Sequence, residues 1–232
     1  MKPFTKKIVL ENGREFYGYG FGADREAINE IVFNTSMVGY QEILSDPSYT
    51  DQMVVMTYPL IGNYGTAEED YETKFPTIGG MIVREYNDTP SNFRYTKTLH
   101  EVLEEHNIPA VSGIDTRTLT RIIRDEGSQK VLVTDAATPS GEAMRRLREY
   151  DLPHDMVSRV SCRKRWFSRT PNHRWDVVAV DCGITTSSAN STRRGATSPS
   201  SRSTPRSRRF SPSVPTASSS RTVRAIPRTS GP

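Results

Sequence analysis

A length of 232 residues allows one or two domains, and a hydrophobic content of 34% with a mean hydropathy of −0.60 is low for a chain that folds throughout. The formal charge of +4 combines nine arginines and no acidic residue in residues 185–232 with 22 basic and 27 acidic residues before them, so it does not indicate a nucleic-acid-binding body. The first seven residues lack the apolar region of a secretory signal, and no run approaches the roughly 18 apolar residues of a membrane span, so we expect a cytoplasmic protein without a membrane contact.

Residues 1–150 carry signals for alternating strands and helices. Asn12-Gly13 joins the first two predicted strands, at residues 7–10 and 14–19, as a hairpin, because both turn positions favour positive φ. A capping box of Thr98 with Glu101 begins one helix, and Asp115 caps another that ends at Gly127. Further strands are predicted at residues 30–34, 53–57, 79–83, 110–114 and 131–133, and further helices at 40–44 and after residue 139. The pattern predicts an α+β domain whose core contains Ile31, Phe33, Met53, Val55, Ile82, Val111, Leu119, Ile122 and Val133.

The segment from Asn34 to Gly65 contains the candidate binding residue. Its helical run ends at Asp46-Pro47, because a residue before proline is disfavoured in the helical conformation. The loop that follows presents the hydroxyl of Ser48 before the next strand begins. Spacing alone favours an ordinary Asp-Pro-Ser turn over a binding loop.

After residue 150 the composition and the apolar periodicity of the chain change. Residues 151–174 are rich in charge and poor in periodicity, so they are predicted to be a linker in which His154 and His173 are solvated. Residues 175–181 form a short apolar run that predicts a buried parallel strand. The two cysteines, Cys162 and Cys182, match no metal or redox spacing and are interpreted as free thiols.

Several long motifs occur in a fixed order: FNTSM at residues 33–37, GYQEIL at 39–44, DPSY at 46–49, TYP at 57–59, IGN at 61–63, SNFR at 91–94, GIDTR at 113–117 and LTR at 119–121. In this set the chain resembles the small subunit of glutamine-dependent carbamoyl phosphate synthetase. The resemblance covers about residues 5–184 and stops there.

The resemblance implies a fold and a function. It implies an α+β (β/β/α) amino-terminal domain over residues 1–150, a linker over 151–174, and over 175–184 only the first strand of a doubly wound α/β class I glutamine amidotransferase domain. It implies that Ser48 contacts bound L-glutamine and that the partner is the large subunit, in a heterodimer that makes carbamoyl phosphate for arginine and pyrimidine biosynthesis. ATP and magnesium would be used by the large subunit, with no cofactor or metal in this one. The family's catalytic Cys-His-Glu triad has no match here, since Cys182 does not lie in a Gly-x-Cys-x-Gly sequence, so this chain alone is expected to be inactive.

Residues 185–232 are predicted to be disordered and translated out of frame. They contain 14 Ser, eight Thr and six Pro and show no apolar periodicity. If each original codon took the last base of one codon and the first two of the next, residues 198–202 permit Val-Thr-Val-Val-Pro and residues 221–227 permit the glycine-loop sequence Ser-Asn-Gly-Pro-Gly-Asp-Pro. The alternative is a non-catalytic docking module with an Arg/Ser-rich arm that binds nucleic acid.

Overall fold

The computed structural model describes residues 2–73, 75–161, 166–168, 175–181, 196–202 and 223–226, with side-chain surroundings up to residue 161. Contacts divide the chain into two units, Met1–His154 and Asp155–Pro232. The sequence places the end of the first domain at residue 150. None of the helices in the described ranges is long and apolar enough to cross a membrane.

The first unit mixes strands with a few short helices, which agrees with the predicted α+β class. Its strands are β1 Lys6–Leu10, β2 Glu15–Gly22, β3 Ala27–Asn34, β4 Gln52–Met56, β5 Leu60–Ile61, β6 Gly80–Ile82, β7 Glu85–Tyr86, β8 Pro109–Ser112 and β9 Lys130–Asp135. Its α-helices are α1 Tyr40–Ser45, α2 Leu99–Glu105, α3 Thr116–Glu126 and α4 Ser140–Glu149. Single 3-10 turns lie at Pro47–Tyr49 and Glu68–Asp70.

Seven of these strands close into a barrel in the order β1-β2-β8-β6-β4-β3-β9. The pairs β3–β4, β4–β6 and β6–β8 are parallel, whereas the other four pairs are antiparallel. Because every barrel strand has a neighbour on both sides, the sheet has no open edge. The sequence predicts these strands but not their closure into a barrel.

Alternate residues of the strands form two separate cores. In β4, Met53 and Val55 belong to one cluster, whereas Val54 and Met56 belong to the other. The cluster that contains Met53 and Val55 receives residues from all seven barrel strands, so it is the barrel interior. All nine predicted core residues contact this interior cluster, so that prediction is confirmed.

Helices cover different parts of the barrel. The apolar face of α3 packs onto the interior cluster. Helices α1 and α2 cover a second cluster, which lies on the outer face of β4, β6 and β8. Helix α4 covers a third, smaller cluster that contains Val9 and Leu132 of β1 and β9. Burial on both faces explains why β4, β6 and β8 read as nearly continuous apolar runs.

The predicted helix caps are confirmed. The Thr98 hydroxyl accepts the Glu101 N–H at 3.2 Å, and the Glu101 carboxylate accepts the Thr98 N–H at 2.7 Å. The Asp115 carboxylate accepts the Thr118 N–H at 3.1 Å at the beginning of α3. Helix α3 ends at Gly127, which has a φ of 90°.

The second unit contains more regular structure than predicted. Its elements are α5 Met156–Val160, β10 Trp166–Ser168, β11 Trp175–Asp181, β12 Ala196–Arg202 and β13 Val223–Ile226. The four strands form one sheet in the order β10-β12-β11-β13, in which β11 and β12 are parallel. The predicted strand at 175–181 is thus confirmed.

Two predictions for the later chain need correction. Helix α5 and strand β10 fall within residues 151–174, which we interpreted as a linker. Strands β12 and β13 fall within residues 185–232, so the prediction of disorder is wrong for those two segments. The physical reason is that main-chain pairing needs no apolar periodicity, and the edges of an apolar strand offer donors and acceptors to any extended segment. The rest of the predicted tail lies outside the described residues.

Candidate functional site

Ser48 lies in the middle of the 3-10 turn Pro47–Tyr49, between α1 and β4. One carboxylate oxygen of Asp46 accepts the Ser48 N–H at 2.8 Å, and the main-chain oxygen of Asp46 accepts the Tyr49 N–H at 3.0 Å. Pro47 is buried whereas Ser48 is exposed. Within the described part of the chain, the Ser48 hydroxyl has no hydrogen-bond partner, so it is available to a ligand.

The helix that leads to Ser48 begins at a tyrosine pair. Gly39, with a φ of 86°, precedes α1 in a left-handed conformation that favours glycine. The N–H groups of Gly39 and Tyr40 both donate to the Tyr64 hydroxyl, at 2.9 and 3.0 Å. The rings of Tyr40 and Tyr64 stack with their centroids 4.1 Å apart. Burial raises the pKa of the Tyr64 hydroxyl, which therefore stays neutral and keeps its hydrogen bonds at physiological pH.

Buried polar contacts tie α1 to the segment that follows β5. The Tyr40 hydroxyl donates to the main-chain oxygen of Gly65 at 2.7 Å. The Gln41 side-chain amide donates to the main-chain oxygen of Ala67, and its oxygen accepts the Ala67 N–H at 2.9 Å. Because both groups of the amide are satisfied, this buried glutamine fixes the position of α1.

Three further hydrogen bonds fix the position of the turn. The Thr77 hydroxyl donates to the main-chain oxygen of Asp46 at 3.1 Å, and the Thr50 hydroxyl donates to that of Pro47 at 2.7 Å. The Asn34 side-chain amide donates to the Tyr49 hydroxyl at 3.0 Å, which links the turn to the end of β3. The position of Ser48 is therefore set by contacts that lie far apart in the sequence.

The described groups at this turn can form hydrogen bonds to a ligand. A serine hydroxyl offers one donor and two acceptor positions, and Asp46, the carboxylate on the turn, already accepts the N–H of Ser48. No group of three histidine, cysteine or acidic residues among the described residues lies close enough to hold a metal ion. His154 is exposed, whereas His173, Cys162 and Cys182 lie outside the described residues.

The sequence proposes Ser48 as a candidate binding residue but does not identify the residues that position it. Gln41 and Ala67 are separated by 26 residues, and Asp46 and Thr77 by 31. No local pattern links such partners, because they meet only when the strands pair. The burial of Gln41 in the six-residue helix α1 is visible only in the structure.

Comparisons with known proteins identify a matching family and several related sequences. The family described as "Carbamoyl-phosphate synthase small chain, CPSase domain" matches residues 8–133, which include the Ser48 turn and most of the barrel. The chain is 47% identical over 178 residues to the carbamoyl phosphate synthase small chain of Oceanobacillus iheyensis, which covers 77% of this chain and 48% of the relative. It is 46% identical over 181 residues to the small chain of Fusobacterium nucleatum, covering 78% and 50% respectively.

A third relative has a more specific name. The carbamoyl phosphate synthase pyrimidine-specific small chain of Halalkalibacterium halodurans is 47% identical over 179 residues, covering 77% of this chain and 49% of the relative. The chain thus spans about half the length of the curated relatives that it matches. By the match over residues 8–133 and by these identities, the chain belongs to the carbamoyl-phosphate synthase small chain family.

Proposed function

We propose that the chain is the amino-terminal half of the glutamine-hydrolysing small subunit of a carbamoyl phosphate synthetase. In this proposal the complete subunit releases ammonia from L-glutamine and passes it to the large subunit, which combines it with bicarbonate and ATP. The carbamoyl phosphate formed feeds arginine and pyrimidine biosynthesis. The observation that carries the proposal is the family match over residues 8–133, which runs from β1 into β9.

In this function Ser48 binds glutamine and does not react with it. The preorganised turn and the unpaired hydroxyl support the assignment, because a side chain held in place before binding loses little entropy when a ligand arrives. The covalent chemistry belongs to the family's Cys-His-Glu triad, which has no counterpart in this chain. ATP and magnesium are assigned to the large subunit.

The role of Ser48 can be tested in a chimaera that joins residues 1–184 to the remaining half of the Oceanobacillus iheyensis small chain. Ser48→Ala should raise the KM for glutamine roughly 10- to 150-fold with little change in kcat, because one hydrogen bond to a charged group contributes about 1.5–3 kcal/mol. Ser128→Ala is the matched control, since Ser128 is also exposed. An unchanged KM in the Ser48 variant would exclude the contact.

The 232-residue chain itself should have no measurable glutaminase activity. Loss of a nucleophile typically lowers kcat by roughly 10⁶-fold, and no residue at the Ser48 turn replaces it. The measurement is ammonia release from glutamine against a matched blank, with the chimaera as positive control. Turnover that persists through further purification would show that the catalytic assignment is wrong.

We also propose that residues 185–232 are an out-of-frame translation. The support is the order of the family sequences that a shifted frame permits there. Sequencing the gene tests it: one shifted frame should continue beyond codon 232 and encode a Gly-x-Cys-x-Gly sequence. Stop codons soon after in both shifted frames would contradict it. The alternative, a docking module with a nucleic-acid-binding arm, gains no support from the relatives.

A further inference from the structure

Helix α3 carries three arginines along one exposed stripe. Arg117, Arg121 and Arg124 stand at positions i, i+4 and i+7, and all three are exposed. Residues with this spacing lie on the same side of a helix. The opposite, apolar face of α3 packs onto the barrel interior, so the stripe points away from the core.

Two of these arginines occupy positions that are unfavourable for the helix itself. Arg117 is the second residue after the N-cap, where a positive charge opposes the helix dipole, and the first turn of α3 contains no acidic residue. Arg117 and Arg121 also repel each other, because like charges at i and i+4 destabilise a helix. Local violations of this kind are expected where a side chain serves a function other than folding.

The described part of the chain offsets these charges only in part. Arg124 pairs with Asp125 at 2.8 Å, and this contact, with a smaller contribution from the charge of Arg121, lowers the pKa of Asp125. Arg117 and Arg121 form no ion pair with any residue in the described part of the chain. Helix α4 differs, because Arg145 pairs with Glu149 at 3.6 Å and Arg146 pairs with Glu26. Arg117 and Arg121, unlike Arg124, are therefore available to a partner outside this chain.

Arg84 extends the basic stripe at the beginning of α3. It is exposed, and its main-chain oxygen accepts the Gly113 N–H at 2.9 Å, which places it beside the turn that leads into the helix. Hydrogen bonds from Thr118 lower the pKa of Asp115, and the charge of Arg84 contributes to the same shift. The described structure shows no ion pair for Arg84 either.

We propose that Arg84, Arg117 and Arg121 form a docking surface for an acidic protein surface, and that this surface is on the large subunit. The proposal rests on the proposed function for the identity of the partner. Guanidinium groups suit this role because they are weakly hydrated and pair with carboxylates through two parallel hydrogen bonds. A protein surface is favoured over nucleic acid because residues 1–184 carry 27 acidic against 22 basic residues, which would repel a phosphate backbone.

The test compares binding and stability in the full 232-residue chain. A double variant, Arg117→Glu with Arg121→Glu, should bind the large subunit at least tenfold more weakly, with a shallower dependence of affinity on salt. The single variant Arg117→Glu should melt at an equal or higher temperature than the parent chain. The reason is that a glutamate in the first turn suits the helix dipole and attracts Arg121 at i+4. A loss of binding without a loss of stability separates docking from folding.

Arg148→Glu is the matched control, since Arg148 is an exposed arginine of α4 and the charge change is identical. Its affinity for the large subunit should equal that of the parent chain. Equal weakening in this control would mean that net charge, not the stripe, governs binding, and would overturn the inference. If the parent chain binds and the double variant binds equally well, the inference fails while the proposed function stands. If the parent chain does not bind at all, the docking part of the proposed function fails together with the inference.

Discussion

At the scale of single residues, the Tyr40 hydroxyl shows how much one buried hydrogen bond contributes. It donates to the main-chain oxygen of Gly65 at 2.7 Å, and the tyrosine is 1% exposed. Tyr40→Phe should lower the free energy of unfolding by about 1–3 kcal/mol, because the Gly65 oxygen would remain buried without a donor. Urea unfolding at pH 7 measures the change. Tyr58→Phe, at an exposed tyrosine, is the control and should stay within about 0.5 kcal/mol of the parent chain.

An ion pair between a buried lysine of β1 and a partly buried glutamate of β2 makes stability depend on pH. The Lys7 ammonium, with 1% of its side chain exposed, lies 3.0 Å from the Glu15 carboxylate. Burial raises the pKa of Glu15, but hydrogen bonds from Ser140, Tyr17 and Lys7 outweigh it, so the net pKa lies below 4.5. A carboxylate with a lowered pKa stabilises the fold above its unfolded pKa, and the contribution disappears as pH falls through the folded pKa.

Glu15→Gln should therefore be less stable than the parent chain at pH 7, and the difference should shrink once the pH falls below about 4.5. The expected loss at pH 7 is about 3–5 kcal/mol, since Lys7 would remain buried without its counter-charge. Adding Lys7→Met should restore part of it. Urea unfolding from pH 7 to pH 3.5 tests this, with Glu85→Gln at an exposed glutamate as control. A difference that stays constant over this range would contradict the role given to the Glu15 carboxylate.

At the scale of elements, the capping box of α2 tests how a short helix is stabilised. Thr98→Ala removes the acceptor of the Glu101 N–H and should cost about 1 kcal/mol of unfolding free energy. Thr98→Ser keeps a hydroxyl at the same position and should lose only a small part of that. Thermal melting of the two variants beside the parent chain measures the difference. Equal melting of both variants would mean that packing, not the cap, fixes the beginning of α2.

Elements with local signals were predictable, whereas those made by distant contacts were not. The antiparallel pairing of β1 and β2, the caps at Thr98 and Asp115 and the interior cluster follow from local signals. The predicted turn differs in detail, because only Gly13, and not Asn12, has a positive φ. The small parallel pair β5–β7 was missed, because it forms only when the Glu85 N–H reaches the main-chain oxygen of Pro59 at 2.8 Å. Ser48 is proposed only through the family motif, since the contacts across 26 and 31 residues that fix its turn cannot be read from the local sequence.

At the scale of the whole molecule, the two units differ in whether their main sheets have unpaired edge strands. The barrel of the first unit is closed, and among the described residues its three core clusters extend from Ile8 to Leu147. The sheet of the second unit has two edge strands, β10 and β13, which flank the pair that contains the apolar β11. Unpaired edges are templates for association with other chains, whereas a closed barrel offers none.

A fragment of residues 1–154 should therefore unfold in one cooperative transition, with a free energy in the usual range of about 5–15 kcal/mol, and remain monomeric. The full chain should self-associate as its concentration rises, despite the nine arginines after residue 184. Thermal unfolding and sedimentation velocity of both proteins measure this. Val178→Lys, which interrupts the apolar run of β11, is the control in the full chain and should reduce association without changing the melting of the first unit. A fragment that melts without a cooperative transition, beside a full chain that folds, would mean that residues after His154 complete the barrel's core.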